Sequence, residues 1–265
     1  MKKKISRIGV FDSGIGGLTV LNCLLELVPG VDMVYLGDTA RLPYGTKSPK
    51  TIISYSLQCA RFLASMDIDM LVIACNTASA HAVPALKEEF NIPVVGVVEA
   101  GARAAIECAV SRIGVVGTSA TIMSRAYEKT ILGLKPGLEI FPQACPLFVP
   151  LVEEGWFDDE ITEQVARRYL KDLIHSKIDT LLLGCTHYPL LKGVLVKVMG
   201  NGVAIVDSAL STARVVKEIV GPANDRSESR EITYYLSDSS PRFIELGEHF
   251  LGHEMKYVYD IDLCV

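Results

Sequence analysis

The chain has no cysteine pair in a CxxC arrangement, no complete nucleotide-binding loop and no long apolar run. Each absence removes a class of function. No segment approaches the roughly 18 consecutive apolar residues that a membrane span requires. The Met1-Lys2-Lys3-Lys4 start resembles the charged region of a signal peptide, but only Ile8-Gly9-Val10-Phe11 follows before Asp12, too short for its apolar core. A cytoplasmic protein without a membrane partner is expected. The seven cysteines are odd in number and scattered, which fits reduced thiols better than a disulfide framework or a zinc site. Basic side chains are in deficit, with 26 Lys and Arg against 31 Asp and Glu and a formal net charge of −5. Phosphate backbones are held mainly by Lys and Arg, so a general nucleic-acid binder is not expected. A protein partner or a small anion held by local donors stays open.

Two motifs stop short of a cofactor or metal site. In Gly14-Ile15-Gly16-Gly17 the GxGxxG fingerprint would need glycine where Thr19 stands, and no phosphate-loop lysine follows. The better interpretation is a tight strand-to-helix turn whose free N–H groups can meet an anion, with Asp12 and Ser13 at its mouth. His249 and His253, four residues apart, lack a third ligand and read as a solvated helix face. No lysine stands in a recognisable pyridoxal phosphate setting. No cofactor and no metal are expected.

What the sequence does have is alternation. Short apolar runs at Ile8–Phe11, Met33–Leu36, Met70–Ala74, Val94–Val98, Ile113–Gly117, Thr180–Gly184 and Ala204–Val206 read as buried strands. Helical patterns lie between them at Thr51–Met66, Val83–Glu89, Ala100–Val110, Ser119–Leu132, Asp158–His175 and Ser211–Val220. Nearly continuous apolar strands alternating with helices predict an α/β fold with mainly parallel sheets covered on both faces. The tail adds a strand, Ile232–Leu236, and a helix opened by Asp238-Ser239-Ser240-Pro241, with proline in the first turn. A polar stretch, Asp225–Glu231, reads as a surface loop.

The alternation is also duplicated. Ile68-Asp69-Met70-Leu71 and Cys75 superpose on Ile178-Asp179-Thr180-Leu181 and Cys185, a shift of 110 residues. Ile8 to Ser13 resembles Ile113 to Thr118, a shift of 105. The chain therefore reads as two pseudo-symmetric α/β domains, residues 1–98 completed by 208–265, and residues 99–207. Ligands of open α/β sheets bind outside the carboxyl ends of strands. Both cysteines stand at such ends, and a cleft between the domains would bring them together.

Cys23, Cys59, Cys108, Cys145 and Cys264 read as inert packing. Cys75 and Cys185 differ because each precedes polar, cap-like residues, Asn76-Thr77 and Thr186-His187. A helix N-terminus there would favour the thiolate and poise each sulfur as a base. His187 could polarise Cys185 or protonate a nearby group. The loop Gly37 to Gly45 is dense in turn and hydrogen-bonding residues, consistent with binding or with an Asp38–Arg41 pair that holds the loop. Glu153-Glu154 would ordinarily be solvent-facing charge.

With these residues assembled, FDSGIGGLTVL, YLGDTARLPYGTKS, ACNTASA and LLLGCTHYPLL resemble the glutamate racemases, cofactor-independent enzymes of the aspartate/glutamate racemase superfamily. VGTSATI and PLFVPLVEEGW match more weakly. Aspartate racemases are similar in their two strand-end cysteines, but the PYG loop and CTHYPLL point to glutamate. The resemblance implies a two-base mechanism with Cys75 acting on D-glutamate and Cys185 on L-glutamate. It implies auxiliary acid–base roles for Asp12, His187 and Glu153. Substrate contacts are implied at Asp12, Ser13, Pro43, Tyr44, Gly45, Asn76, Thr77, Thr118, Thr121, Thr186 and His187. It further implies a homodimer that supplies D-glutamate for peptidoglycan in a bacterium. Two other functions stay open on the residues alone. One is a cysteine hydrolase using Cys185 and His187, which leaves Cys75 unexplained. The other is a glutamate-binding regulator without turnover, which leaves both thiols unexplained.

Overall fold

The computed structural model describes residues 4–222 and 230–263. Cys264, Met1 to Lys3 and most of the Asp225–Glu231 stretch lie outside them. Ten strands are described: β1 (Arg7–Asp12), β2 (Asp32–Gly37), β3 (Met70–Ile73), β4 (Val94–Gly96), β5 (Arg112–Gly117), β6 (Glu139–Ala144), β7 (Thr180–Gly184), β8 (Ala204–Asp207), β9 (Ile232–Leu236) and β10 (Val258–Asp260). The helices are α1 (Leu18–Leu27), α2 (Pro49–Ala64), α3 (Asn76–Glu89), α4 (Val97–Cys108), α5 (Ser119–Ser124), α6 (Ala126–Leu134), α7 (Phe148–Glu153), α8 (Glu160–His175), α9 (Lys192–Met199), α10 (Ser208–Val220) and α11 (Pro241–Leu251). Among the described residues no helix is long and apolar enough to cross a membrane.

The strands form two sheets, ordered β10-β9-β2-β1-β3-β4 and β6-β5-β7-β8, and every pairing is parallel. The last four strands of the first order and the four of the second follow one pattern. Ile8 faces Met70 across β1 and β3, and Ile113 faces Thr180 across β5 and β7. The duplication visible in sequence is thus a duplication of register. β3 and β7 are buried along their whole length, as central parallel strands covered by helices on both faces must be.

Alternating side chains feed different cores. Ile8 and Val10 of β1 and Leu181 and Leu183 of β7 enter one core that runs through α1 and α10 and joins the two sheets. Phe11 and Ile73 face a separate core under α2 and α3, while Ile113, Val115 and Leu182 face another under α4 and α6.

The duplicated aspartates have a structural role. Asp69 Oδ2 accepts from the backbone N–H of Ser6 at 2.8 Å and Arg7 at 3.2 Å, where β1 begins. Asp179 does the same where β5 begins, accepting from Val110 at 3.2 Å, Ser111 at 2.7 Å and Arg112 at 2.8 Å. Each carboxylate closes N–H groups that the neighbouring strand cannot reach.

Several boundaries differ from the sequence expectation. Strand pairing stops at Gly96 because Val97 already begins α4. α3 starts at Asn76, well before Val83, because Cys75 caps it. The pattern over Ser119–Leu132 is two helices, broken where Arg125 takes φ 55°. α10 begins at Ser208, capped by the Asp207 carboxylate. β6 and β10 were not expected. Both are exposed or half-buried edge strands, and β6 carries Pro142, so neither shows the apolar run of a central strand.

The Asp179 carboxylate is held below its ordinary value of 3.8; partial burial opposes this, but the N–H groups of Ser111, Arg112 and Val110 and the Thr180 hydroxyl outweigh it. Its contribution is present above pH 3.8 and is lost as pH falls through the lower folded value. Asp179→Ala is expected to cost about 1–2 kcal/mol and to lower the Tm by roughly 2–6 °C. Thermal unfolding at pH 7 checks this, and the deficit should narrow below pH 4.

Candidate active site

Cys75 follows β3 by two residues and caps α3, its Sγ accepting from Ala78 N–H at 3.5 Å and donating to Ser13 Oγ at 3.4 Å. Cys185 follows β7 directly. After it the chain makes a short 3-10 turn, Tyr188–Leu191, before α9. The expectation that both thiols meet an α-helix N-terminus therefore holds for Cys75 only.

The two cysteines share the wall of one cavity of about 30 Å³. Of the residues expected at a site, Ser13, Pro43, Tyr44, Gly45, Asn76, Thr77, Thr118, Thr186 and His187 also line it. Asp12, Thr121 and Glu153 stand one side chain further back. Asp12 is fully buried, with Oδ2 accepting from Gly14 N–H at 2.8 Å and Oδ1 left without a partner. Thr121 joins Thr77 and Thr118 in a triangle of hydroxyls 2.9–3.1 Å apart. Glu153 Oε1 lies 3.4 Å from His187 Nε2, an ion-pair distance without hydrogen-bond alignment. Glu154 lines only outer hollows.

A cavity of this size holds a few waters at most, so an amino acid enters only if the walls separate, and the structure is a closed state. Roomier hollows exist, one of about 470 Å³ beside Val83, Arg103 and Lys129 and one of about 480 Å³ beside Glu154 and His249, but neither touches a site cysteine.

Missing side chains make the closed state possible. A Cβ on Gly16 would lie 2.3 Å from Thr186 Oγ1 and 2.5 Å from His187 Nδ1. On Gly17 it would lie 2.4 Å from Asp12 Cβ, and on Gly45 2.7 Å from Thr118 Cβ. Of the glycine run after β1, Gly16 makes the contact between the halves, and Gly17 packs within its own half.

Neighbouring packing fixes the remaining walls. Asp38 is fully buried and takes both Arg41 Nε contacts, at 2.9 and 2.7 Å, together with the hydroxyls of Tyr44 and of Ser237 at 3.0 Å. The Arg41 guanidinium also stacks 4.2 Å from the Tyr55 ring centre. The Asp38–Arg41 pair thus holds the loop that presents Tyr44 and Gly45. On the other side Phe148 of α7 meets Tyr188 edge-on at 5.1 Å, and the Tyr188 hydroxyl donates to Cys145 O at 2.8 Å. That packing sets α7, and with it Glu153, beside His187.

The electrostatics of the two thiols differ. Burial, with the Asp12 charge adding to it, pushes the Cys75 thiol up to about 12 against the pull of Ser13 and Ala78. The α3 terminus, which favours the thiolate, does not offset this burial. Burial also raises Asp12, opposed by the His187 charge and by backbone N–H groups of Gly14, Gly17 and Ser13. For His187 burial disfavours the imidazolium, but the Cys185 sulfur and the Glu153 charge beside it outweigh burial and raise it to about 10. Its Nδ1 lies 3.9 Å from Cys185 Sγ, and Phe250 of α11 meets the ring edge-on at 6.0 Å.

The other motifs fall outside this cavity. His249, on an exposed face of α11, stacks flat on Phe157 at 5.1 Å, so it is not simply solvated. Cys59 is buried against Arg41, Cys145 is buried, and Cys108 is exposed rather than packed. Leu42 and Val149 complete the wall. Tyr127, which hydrogen-bonds Asn76, had no sequence signal beyond that of a helix-core aromatic.

The sequence profile of the Asp/Glu/Hydantoin racemase family matches residues 8–216. The chain is 51% identical to the glutamate racemase of Geobacter metallireducens, over 97% of this chain and 96% of that protein. It is 49% identical to the glutamate racemase of Aquifex aeolicus, over 94% and 96%. The crystal structure of Francisella tularensis glutamate racemase in complex with D-glutamate superposes with a TM-score of 0.92 at 37% identity, covering 98% of each chain.

Cys75 should alkylate with iodoacetamide at pH 8 at least about 100-fold more slowly than exposed Cys108, because it is both buried and un-ionised. Gly16→Ala, which props the halves apart, should accelerate Cys75 labelling, as read by peptide mass spectrometry. His187 should stay protonated to about pH 10, and Glu153→Gln should lower that midpoint in an imidazole NMR titration. The sign is fixed because a raised histidine pKa adds stability that is complete below about pH 6.5 and lost as pH rises through about 10.

Proposed function

Because this chain belongs to the Asp/Glu/Hydantoin racemase family, we propose that it interconverts L- and D-glutamate without a cofactor, using Cys75 and Cys185 as opposed acid–base groups. The observation that carries this is a single closed cavity with one strand-end thiol from each half in its wall. A base on one side of a held carbon cannot reach its other face, so inversion with solvent exclusion needs two.

From D-glutamate, Cys75 as thiolate takes the α-proton and Cys185 as thiol delivers one to the opposite face; from L-glutamate the roles exchange. Asp12 stands behind Cys75, while His187 and Glu153 stand behind Cys185, as auxiliary acid–base groups. Substrate contacts fall to Ser13, Pro43, Tyr44, Gly45, Asn76, Thr77, Thr118, Thr121, Thr186 and His187. The N–H and O–H groups of these residues other than Pro43 supply fixed dipoles for the carboxylates and for charge developing at the α-carbon. The raised Cys75 and Asp12 belong to the empty, closed cavity. A substrate α-ammonium brings the missing positive charge beside them and favours their ionised forms. Closure then excludes water from the carbanion.

In this reading the two sheets are the cores of two domains, residues 1–98 with 208–265 and residues 99–207, whose relative motion admits glutamate. The protein works as a cytoplasmic homodimer and its D-glutamate supplies peptidoglycan synthesis.

One feature favours a second function. Cys185, His187 and Glu153 stand in the order nucleophile, base and carboxylate, as a cysteine hydrolase requires. Such an enzyme would have no use for Cys75. Release of acid from an amide or ester of glutamate would distinguish it.

The test is circular dichroism of L-glutamate with reduced protein and no added cofactor or metal. The signal should decay to zero. Cys75→Ser and Cys185→Ser should each slow racemisation by at least about 1,000-fold. In D₂O the Cys185→Ser protein should still exchange the α-proton of D-glutamate, and Cys75→Ser that of L-glutamate. Wild-type racemisation rates in both variants would remove the two-thiol mechanism.

A further inference from the structure

We propose that Tyr127 is a positioning residue that turns the Asn76 carboxamide so that its N–H groups face the cavity, ready for a carboxylate of the substrate; this rests on the racemase reading. Asn76 is 2% exposed and lines the cavity from the first turn of α3. Its Oδ1 accepts from the Tyr127 hydroxyl at 2.5 Å, and its Nδ2 is buried with no partner. Buried donors are rarely left unpaired. An unpaired N–H pair in the wall of an empty cavity is a place prepared for an acceptor.

The direction of the hydrogen bond determines which ligand fits. A carboxamide presents donors on one edge and an acceptor on the other. Were the group flipped, its oxygen would face the cavity and repel an anion. The phenol O–H donates to Asn76 Oδ1, which leaves the carboxamide's N–H edge for another acceptor. Tyr127 itself has little freedom. It is buried, and a Cβ on Gly184 would come within 3.0 Å of its ring and one on Gly101 within 3.3 Å of its hydroxyl. Glutamate offers two carboxylates as acceptors and an ammonium that this edge would reject.

The bond also crosses between the halves. Tyr127 lies on α6, packed under the second sheet, and Asn76 on α3, packed against the first. The donor edge is therefore held in place only when the halves are together.

A donor aimed at a substrate carboxylate already acts in the bound ground state, so its loss shows first in KM. Tyr127→Phe removes one oxygen and keeps the ring. It should raise KM for L- and D-glutamate alike by roughly 5–10-fold, with kcat within about two-fold. The Kd of glutarate, a dicarboxylate with no α-ammonium and no turnover, should rise by the same factor in isothermal titration. Asn76→Ala should weaken both, and adding Tyr127→Phe to it should change neither further. Asn76→Asp keeps an acceptor for Tyr127 and places an oxygen in the cavity, so it should weaken glutarate far more than Tyr127→Phe does. If wild type racemises glutamate and Tyr127→Phe leaves KM and glutarate binding unchanged, or acts equally in the Asn76→Ala background, the positioning role is overturned. If wild type does not racemise glutamate but glutarate binding follows the pattern, the racemase reading fails and the positioning role stands. Failure of glutarate to bind wild type would overturn the carboxylate assignment.

Discussion

The absence of a side chain at Gly16 is the constraint on which the closed site depends. Two parallel sheets, each ending in a cysteine, share a cavity only if the turn after β1 can touch Thr186 and His187, and a single Cβ there would overlap both. Gly45 extends the same condition to Thr118. Backbone without Cβ allows approaches that no other residue permits. What looked in sequence like part of a phosphate loop is a contact surface between the two halves.

That contact makes a small buried site, and burial shapes the chemistry. Burial in low dielectric opposes every charge not matched by another. Burial raises both Cys75 and, behind it, Asp12; the Asp12 charge raises the thiol further, and the His187 charge offsets the rise of Asp12 only in part. The other side holds His187 between Cys185 and Glu153, and there opposite charges keep an imidazolium in spite of burial. Duplication supplied two equivalent strand ends. Their different neighbours made them inequivalent, which suits a site that must handle two enantiomers of one substrate from opposite faces.

Packing remote from the cavity serves the same end. The buried Asp38–Arg41 pair holds the loop carrying Tyr44 and Gly45, and a buried pair with all its hydrogen bonds made is costly to break at either partner. Phe148, Tyr188 and Cys145 set α7 on the other side, and Phe250 reaches His187 from the C-terminal helix. Residues distant in sequence thereby converge on one cavity of about 30 Å³.

Period and repetition in the sequence determined the parallel α/β architecture, the strands β1 to β5 and β7 to β9, and the equivalence of Cys75 and Cys185, because buried central strands must be apolar and a duplicated register repeats its residues. Edge strands β6 and β10 escaped notice, since one exposed side removes that pattern. The start of α3 was missed because a cysteine is an unusual cap. Most of the cavity wall was named by resemblance at strand ends and turns, where local motifs survive as short words. Tertiary structure alone decided that Glu153 rather than Glu154 meets His187, that Asp12 lies behind the wall, that burial overrides the helix terminus at Cys75, and that Tyr127 orients Asn76. Each of these depends on a neighbour distant in the chain or on exclusion from water, and neither leaves a local mark in sequence.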